Sequence, residues 1–67
     1  MEIKKGTYRH FKGGMYEVVD IALHSETLEE MIVYKNIETG KLWVRPASMW
    51  DETVEHEGKL LRRFTLI

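Results

Sequence analysis

Glycine-containing turns divide this chain into short segments, and their spacing constrains the fold more than any other feature. The turn sequences occupy residues 12–14, 36–41 and 57–59. The runs between them are rich in Val, Ile, Thr, Tyr, Phe and Trp, which is the composition of strands. The sequence therefore predicts a series of short antiparallel strands.

Six segments have the composition of strands. They span residues 7–11, 15–24, 31–34, 42–45, 53–56 and 60–66. The second is apolar at both parities, which predicts a central strand. Gly40 stands where the hairpin between the third and fourth strands needs a positive φ. Pro46 has no amide hydrogen, so it ends the fourth strand and favours a helical turn through Asp51.

Residues 25–30 allow two interpretations. Thr27 and Glu30 fit the capping box of a helix, whereas residues 31–34 are rich in β-branched and aromatic side chains. A polar loop followed by a strand is the favoured interpretation. The whole pattern predicts an all-β fold, a small SH3-like, partly open antiparallel barrel of five or six short strands with one helical turn. Its predicted core comprises Val18, Ile21, Leu23, Val33, Leu42, Val44 and Phe64.

The chain is short for one autonomous core. It has 67 residues, of which 43% are hydrophobic and 31% charged, and it has no cysteine. Apolar packing must therefore hold it without disulfides or a thiolate metal site. We expect one β domain over residues 1–67. The first six residues lack the apolar core of a signal peptide, which favours a cytoplasmic location, and no apolar run is long enough to predict a membrane span.

No catalytic or metal-binding motif is visible. The three histidines, His10, His24 and His56, have no His-x-His or His-x-x-x-His spacing, so a metal centre would need folding to bring them together. Ser25 follows His24 directly, but adjacent strand residues point to opposite sides and no nucleophile turn surrounds the serine. We expect no catalytic residue, no metal and no cofactor.

Aromatic and polar residues outside the expected core indicate a binding surface. If Leu42 and Val44 face inward, Trp43 and Arg45 share the opposite face of their strand. An exposed tryptophan beside an arginine could hold a peptide or stack against a base. The alternative, which the residues favour slightly, is that Trp43 closes one side of the open barrel and Arg45 pairs with a nearby glutamate. This strand is nevertheless the candidate for part of a ligand site.

The loop after the second strand would complete this site. If it folds over the fourth strand, Arg45 can meet Glu26 or Glu29 in a charge-assisted contact. His10 would join from the first strand beside these carboxylates, which would raise its pKa. The expected ligand-binding residues are His10, His24, Glu26, Glu29, Trp43 and Arg45.

The sequence allows three hypotheses of function. The first is a small non-catalytic binding module with an aromatic and polar groove for a protein, peptide or small-molecule ligand. The second is a nucleic-acid-associated barrel that uses Arg9, Lys12, Arg62 and Arg63 around Tyr8 or Trp43. The net charge of -1 argues against nucleic acid. The third is a minimal hydrolase with His24 and Glu26 or Glu29 as an acid–base pair, for which no nucleophile is identified.

Several motifs together carry a resemblance to a known family. They are Tyr8-Arg9-His10-Phe11-Lys12-Gly13 with Tyr16-Glu17-Val18, then His24-Ser25-Glu26-Thr27-Leu28-Glu29, then Leu42-Trp43-Val44-Arg45-Pro46 with Met49-Trp50. In this order, and over nearly the whole chain, they resemble the bacterial DUF1653 family, whose function is unknown. Trp50 stands where phenylalanine is expected in the Met-Phe pair. The resemblance implies no substrate, but it directs attention to the polar residues of these motifs.

Overall fold

Seven strands and one 3-10 turn make up the protein. The computed structural model describes residues 3–67. Its strands are β1 (Gly6–His10), β2 (Met15–Leu23), β3 (Glu30–Asn36), β4 (Leu42–Pro46), β5 (Thr53–His56), β6 (Lys59–Arg62) and β7 (Phe64–Leu66), and the 3-10 turn is Ala47–Met49. The prediction of an all-β fold with a helical turn after Pro46 is confirmed, and residues 24–29 form the favoured loop.

Five of the strands form one antiparallel sheet in the order β4-β3-β2-β1-β7, and β5 pairs with β6 in a separate hairpin. β2 lies at the centre of the large sheet, as its two-sided apolar pattern predicted. Its register against β3 shifts between Val18 and Asp20, and such bulges bend a strand and increase its twist. β4 and β7 are the two edges and do not pair with each other, so the strands do not close into a barrel.

The segment 60–66, predicted as one strand, is two strands that belong to different sheets. The break falls at Arg63, whose backbone N–H donates to the Glu52 carbonyl and whose carbonyl accepts from the Phe11 N–H, both at 2.9 Å. The chain therefore leaves its hairpin partner β5 and continues along β1, with Phe64 opposite His10. This change of partner accounts for the seventh strand.

Aromatic side chains form most of the core. Trp50 stacks on Phe64 with ring centroids 4.0 Å apart, and Tyr34 and Tyr8 pack edge-on against Trp50 at 5.1 and 5.3 Å. Such pairs contribute about 0.5–1.5 kcal/mol each beyond the burial of their surface. The buried residues are Ile3, Tyr8, Val18, Ile32, Tyr34, Ala47, Trp50 and Phe64.

The predicted core is right in part. Val18 and Phe64 are buried, Ile21 and Val33 are half-buried, and Leu23, Leu42 and Val44 are exposed. Two of these errors lie in β4. Leu42 and Val44 are on one face of this strand and Trp43 is on the other, so the sequence alone does not reveal which face points inward.

The register of β4 shows which face that is. Trp43 pairs with Tyr34, and Arg45 pairs with Ile32. Residues directly opposite each other on paired strands project to the same side of the sheet, so Trp43 and Arg45 lie on the face that bears the core. We call this the inner face. Leu42 lies on the other, outer face of the sheet, and the inward orientation predicted for it is wrong.

Candidate functional site

A tight turn sets the register of β4 and so positions its side chains. The Asn36 side-chain oxygen accepts hydrogen bonds from the backbone N–H groups of Glu38 and Thr39, both at 2.9 Å. Gly40 has a φ of 77°, the left-handed conformation that the sequence predicted and that glycine adopts without steric cost. The turn places Trp43 on the inner face at the open edge of the sheet, where the side chain of Trp43 is half exposed.

Arg45 follows Trp43 on the inner face and reaches over the core. Its guanidinium carbon lies 6.0 Å from the centroid of the Phe64 ring, at the outer limit of a cation–π contact. Its Nε is buried and has no hydrogen-bond acceptor. Within residues 3–67 no carboxylate forms an ion pair with Arg45, whereas Arg62 and Arg63 each have one.

His10 packs against the same ring. Its ring centroid is 5.0 Å from that of Phe64 and 4.6 Å from that of Phe11. Its Nδ1 accepts a hydrogen bond from the Lys12 backbone N–H at 3.2 Å, which places the proton of the neutral ring on Nε2. His10 thus joins the side chain of Arg45 around Phe64.

The electrostatics of His10 are opposite to those predicted. Partial burial, together with the positive charges of Arg63, Lys12 and Arg45, lowers the pKa of His10 below its usual value. The raised pKa expected from neighbouring carboxylates is wrong, because the charges that reach this histidine are cationic. We call the three side chains whose charges act on His10, namely Lys12, Arg45 and Arg63, the cationic cluster.

One carboxylate offsets part of this charge. Glu52 lies 3.6 Å from Arg63, and no other ion pair to a member of the cationic cluster is formed in the described part of the chain. The cluster therefore has a positive potential next to exposed aromatic surface, although the whole chain has a net charge of -1. Such a surface can accept an anionic group.

The other predicted site residues lie in the loop between β2 and β3. His24 caps this loop: its Nδ1 accepts from the backbone N–H groups of Glu26 and Thr27 at 3.1 and 3.4 Å. Glu29 lines a shallow groove of about 330 Å³ with the 3-10 turn. Neither Glu26 nor Glu29 forms an ion pair with Arg45 in the part of the chain that the structure describes.

The structure thus brings two of the predicted residues, His10 and Arg45, around one aromatic ring, with Trp43 beside Arg45 on β4. It gives the loop residues a local structural role. Sequence reasoning placed Phe64 in the core, and it named Arg63 only in the nucleic-acid alternative. The signal available for Arg63 was the doubled arginine at 62–63, since consecutive strand residues project to opposite faces.

Among residues 3–67, no group of three or more His, Asp or Glu side chains is arranged to hold a metal ion. No helix in that range is long and apolar enough to span a membrane.

These features define a class: a small, all-β protein whose polar and aromatic residues converge on an open surface. The model of the DUF1653 family, described as a protein of unknown function, matches residues 6–66. The chain belongs to the DUF1653 family, and the resemblance inferred from its motifs is confirmed. A crystal structure of a DUF1653 protein from Bordetella bronchiseptica is 29% identical, with a TM-score of 0.90, covering 98% of this chain and 88% of that one. No curated protein matches the chain.

Proposed function

We propose that this protein is a non-catalytic binding module that recognises an anionic group of its ligand through Arg45, between Trp43 and His10. The observation that carries the proposal is the unsatisfied state of Arg45. A buried donor without an acceptor costs about 1–3 kcal/mol. The Nε atoms of Arg45 and Arg63 are both in this state, but Arg63 has a carboxylate partner in Glu52, whereas Arg45 has no ion pair within residues 3–67. A ligand carboxylate or phosphate would supply the missing acceptor in a charge-assisted hydrogen bond.

The surroundings of Arg45 favour the same chemistry. Three positive charges act on His10, and Glu52 is the carboxylate paired with one of them. An incoming anion would therefore be attracted by the cluster as a whole and held by Arg45. Trp43 offers apolar and aromatic surface beside the charge, as ligand sites with a few polar groups require.

The enzyme alternative has less support. His24 was the proposed acid–base residue, but its Nδ1 accepts two backbone hydrogen bonds within its own loop. A general base must reach the proton that it removes, and neither Glu26 nor Glu29 forms an ion pair with His24 among residues 3–67. His24 is better explained as the cap of the loop.

The nucleic-acid alternative is also weaker. Tyr8, one of the two proposed stacking residues, is buried in the core. Arg62 pairs with Asp51 at 3.7 Å, which reduces the charge available for phosphate contacts. The net charge remains an argument against nucleic acid as the main partner. A cytoplasmic location in a bacterium stays a prediction from the sequence and the family.

The test is an NMR titration of the ¹⁵N-labelled protein with sodium phosphate and with an acetylated, amidated pentapeptide of alternating valine and glutamate. We expect saturable shifts of the Arg45 Nε–H and of the His10 ring signals with an acidic probe. The glutamine version of the pentapeptide should give no such shifts. Arg45→Gln should abolish the response, and Arg9→Gln, at an exposed arginine on the outer face, should keep it. The proposal is overturned if neither acidic probe moves these signals, or if Arg45→Gln binds as well as the wild type.

A further inference from the structure

β4 is an open edge of the sheet. It pairs with β3 and with no other strand among residues 3–67. Leu42, Trp43 and Val44 are 63%, 51% and 61% exposed, which means that nothing among residues 3–67 covers them. An edge strand in this condition presents unpaired backbone groups to other chains.

The hydrogen-bond pattern shows which groups these are. Asn36 donates its backbone N–H to the Lys41 carbonyl at 2.9 Å, so this pair faces inward across the hairpin. Hydrogen-bonded and non-hydrogen-bonded pairs alternate along an antiparallel ladder, so Trp43 and Arg45 also bond to β3. The N–H and C=O groups of Leu42 and Val44 therefore point away from β3 into the open edge.

The usual protections of an edge strand are weak here. Natural edges are blunted by outward charges, by proline, by bulges or by short length. On β4 the one charged side chain, Arg45, lies on the inner face, and Pro46 protects the last position alone. The opposite edge is different, since β7 has three residues. β4 is thus the edge suited to receive another strand.

We propose that an extended acidic segment of a partner protein adds to the sheet along β4, pairing with the outward backbone groups of Leu42 and Val44. The inference rests on the proposed function and names its ligand class. Residues opposite each other project to the same side, so the added strand alternates between two environments. One set of its side chains meets Trp43 and Arg45 on the inner face and is acidic or aromatic. The other set meets the apolar outer face and is apolar.

Charge favours a partner of this kind over a second copy of the chain. β4 and its flank carry Lys41 and Arg45, and the strand itself has no carboxylate. If two copies paired so that Leu42 of each met Val44 of the other, Lys41 of each would lie opposite Arg45 of the other. Like charges directly opposite destabilise a strand pair, whereas glutamate or aspartate at that position would be attracted.

The experiment uses the pentapeptide of alternating valine and glutamate and two analogues, N-methylated at odd or at even positions. In an added strand, alternate N–H groups bond to β4 and the others point away. We therefore expect one analogue to bind like the parent and the other to lose at least about tenfold in affinity. The amide protons of Leu42 and Val44 should shift downfield and exchange more slowly with solvent.

Val44→Pro is the matched variant of the protein. It removes an outward N–H that the sheet does not use, and proline is tolerated at such edge positions. The variant should fold, as judged by the Trp50 ring signals, and should lose peptide binding by a similar factor. Should it unfold, the two N-methylated analogues still decide the matter on the wild-type protein.

Other results of these binding experiments would each reject a specific part of the proposal. If the peptide perturbs Arg45 and both analogues bind equally, strand addition is wrong and the anion site stands. If neither phosphate nor the peptide binds, the proposed function fails together with the inference. If sedimentation shows a dimer that Val44→Pro dissociates, the occupant is a second copy and the acidic partner is rejected.

Discussion

The two tryptophans occupy opposite regions of this molecule. Trp50 is 1% exposed, at the centre of the aromatic core, whereas Trp43 is 51% exposed, on the edge strand. Trp50 follows the 3-10 turn that Pro46 initiates, so it lies across the inner face of the sheet against Phe64. Trp43 projects from that same inner face, but no strand in the described part of the chain lies beyond β4 to cover it. The position of a residue in the sheet, more than its type, decides whether its surface stabilises the fold or is available to a ligand.

The largest expected difference is between the two tryptophan-to-alanine variants. Trp50→Ala removes a buried ring and leaves a cavity, which typically costs about 3–5 kcal/mol, a large share of the stability of a small domain. Trp43→Ala should change the free energy of unfolding by about 0.5 kcal/mol or less. Urea denaturation followed by far-UV circular dichroism measures both. Trp50→Phe, a milder variant, keeps the comparison possible if Trp50→Ala does not fold. If the two alanine variants lost the same free energy of unfolding, the distinction between a core tryptophan and an edge tryptophan would be wrong.

A smaller effect is expected at the hydroxyl of Tyr8. Its Oη donates a hydrogen bond to the Lys4 carbonyl at 2.6 Å, which ties the residues before β1 to the core. Tyr8→Phe should lower the free energy of unfolding by about 0.5–1.5 kcal/mol. Tyr16→Phe is the control, because its hydroxyl makes no such bond in the described part of the chain. A larger loss for Tyr16→Phe in thermal unfolding would contradict this assignment.

The two arginines near Phe64 sharpen the comparison further. Arg63 is paired with Glu52, and Arg45 has no carboxylate partner within residues 3–67. Methionine keeps most of the volume of the arginine stem, and both substitutions remove a buried Nε that has no acceptor. The difference between Arg63→Met and Arg45→Met therefore reports the partly exposed ion pair, at most about 1 kcal/mol. Arg45→Met should be neutral or slightly stabilising, since it removes a buried donor without an acceptor. If Arg45→Met proved the more destabilising of the two in chemical denaturation, Arg45 would be a structural residue and not a ligand site.

The smallest effect is the dependence of stability on pH through His10. Burial and the charges of Arg63, Lys12 and Arg45 lower its pKa in the folded protein, so the unfolded chain takes up the proton first as the pH falls. Above the unfolded pKa of about 6.5, His10 does not change the free energy of unfolding. As the pH falls below that value, the free energy of unfolding decreases. The wild type should therefore lose more stability than His10→Gln between about pH 7.5 and about pH 5.5. Parallel profiles for the two proteins would show that His10 is not coupled to folding.

The sequence predicted the turns and most of the strands, because glycine and proline act locally. Gly40 and Pro46 determine backbone geometry whatever lies around them. The orientation of β4 was mispredicted for a different reason. Both faces of this strand carry apolar or aromatic residues. Its register with β3 and the bend of β2 determine which face packs against the core. The break at Arg63 was missed because it depends on Glu52 and Phe11, which are distant in sequence.

The candidate site was predicted less completely than the fold. Trp43 and Arg45 were selected on the expectation that they face away from the core, whereas their register with β3 places them on the inner face. Arg45 and His10 were also selected as polar residue types that packing does not require. The prediction of carboxylates beside Arg45 assumed that the loop after β2 folds over β4. Instead, the Nδ1 of His24 accepts hydrogen bonds from backbone N–H groups of the loop and holds it in a different conformation. Contacts between residues on distant strands, such as that of Arg45 on β4 with Phe64 on β7, depend on the curvature of the sheet, and no local pattern encodes that curvature.

The pairing of β1 with β7 has a consequence for how the chain folds. It joins His10 to Phe64, almost the full length of the chain apart, so it closes the longest loop in the molecule and forms against the greatest entropic cost. Strands β1 to β4 can assemble through local hairpins, but the ring on which Trp50 stacks arrives only with β7. During synthesis the growing chain would therefore leave the ring of Trp50 without its stacking partner until β7 emerges from the ribosome.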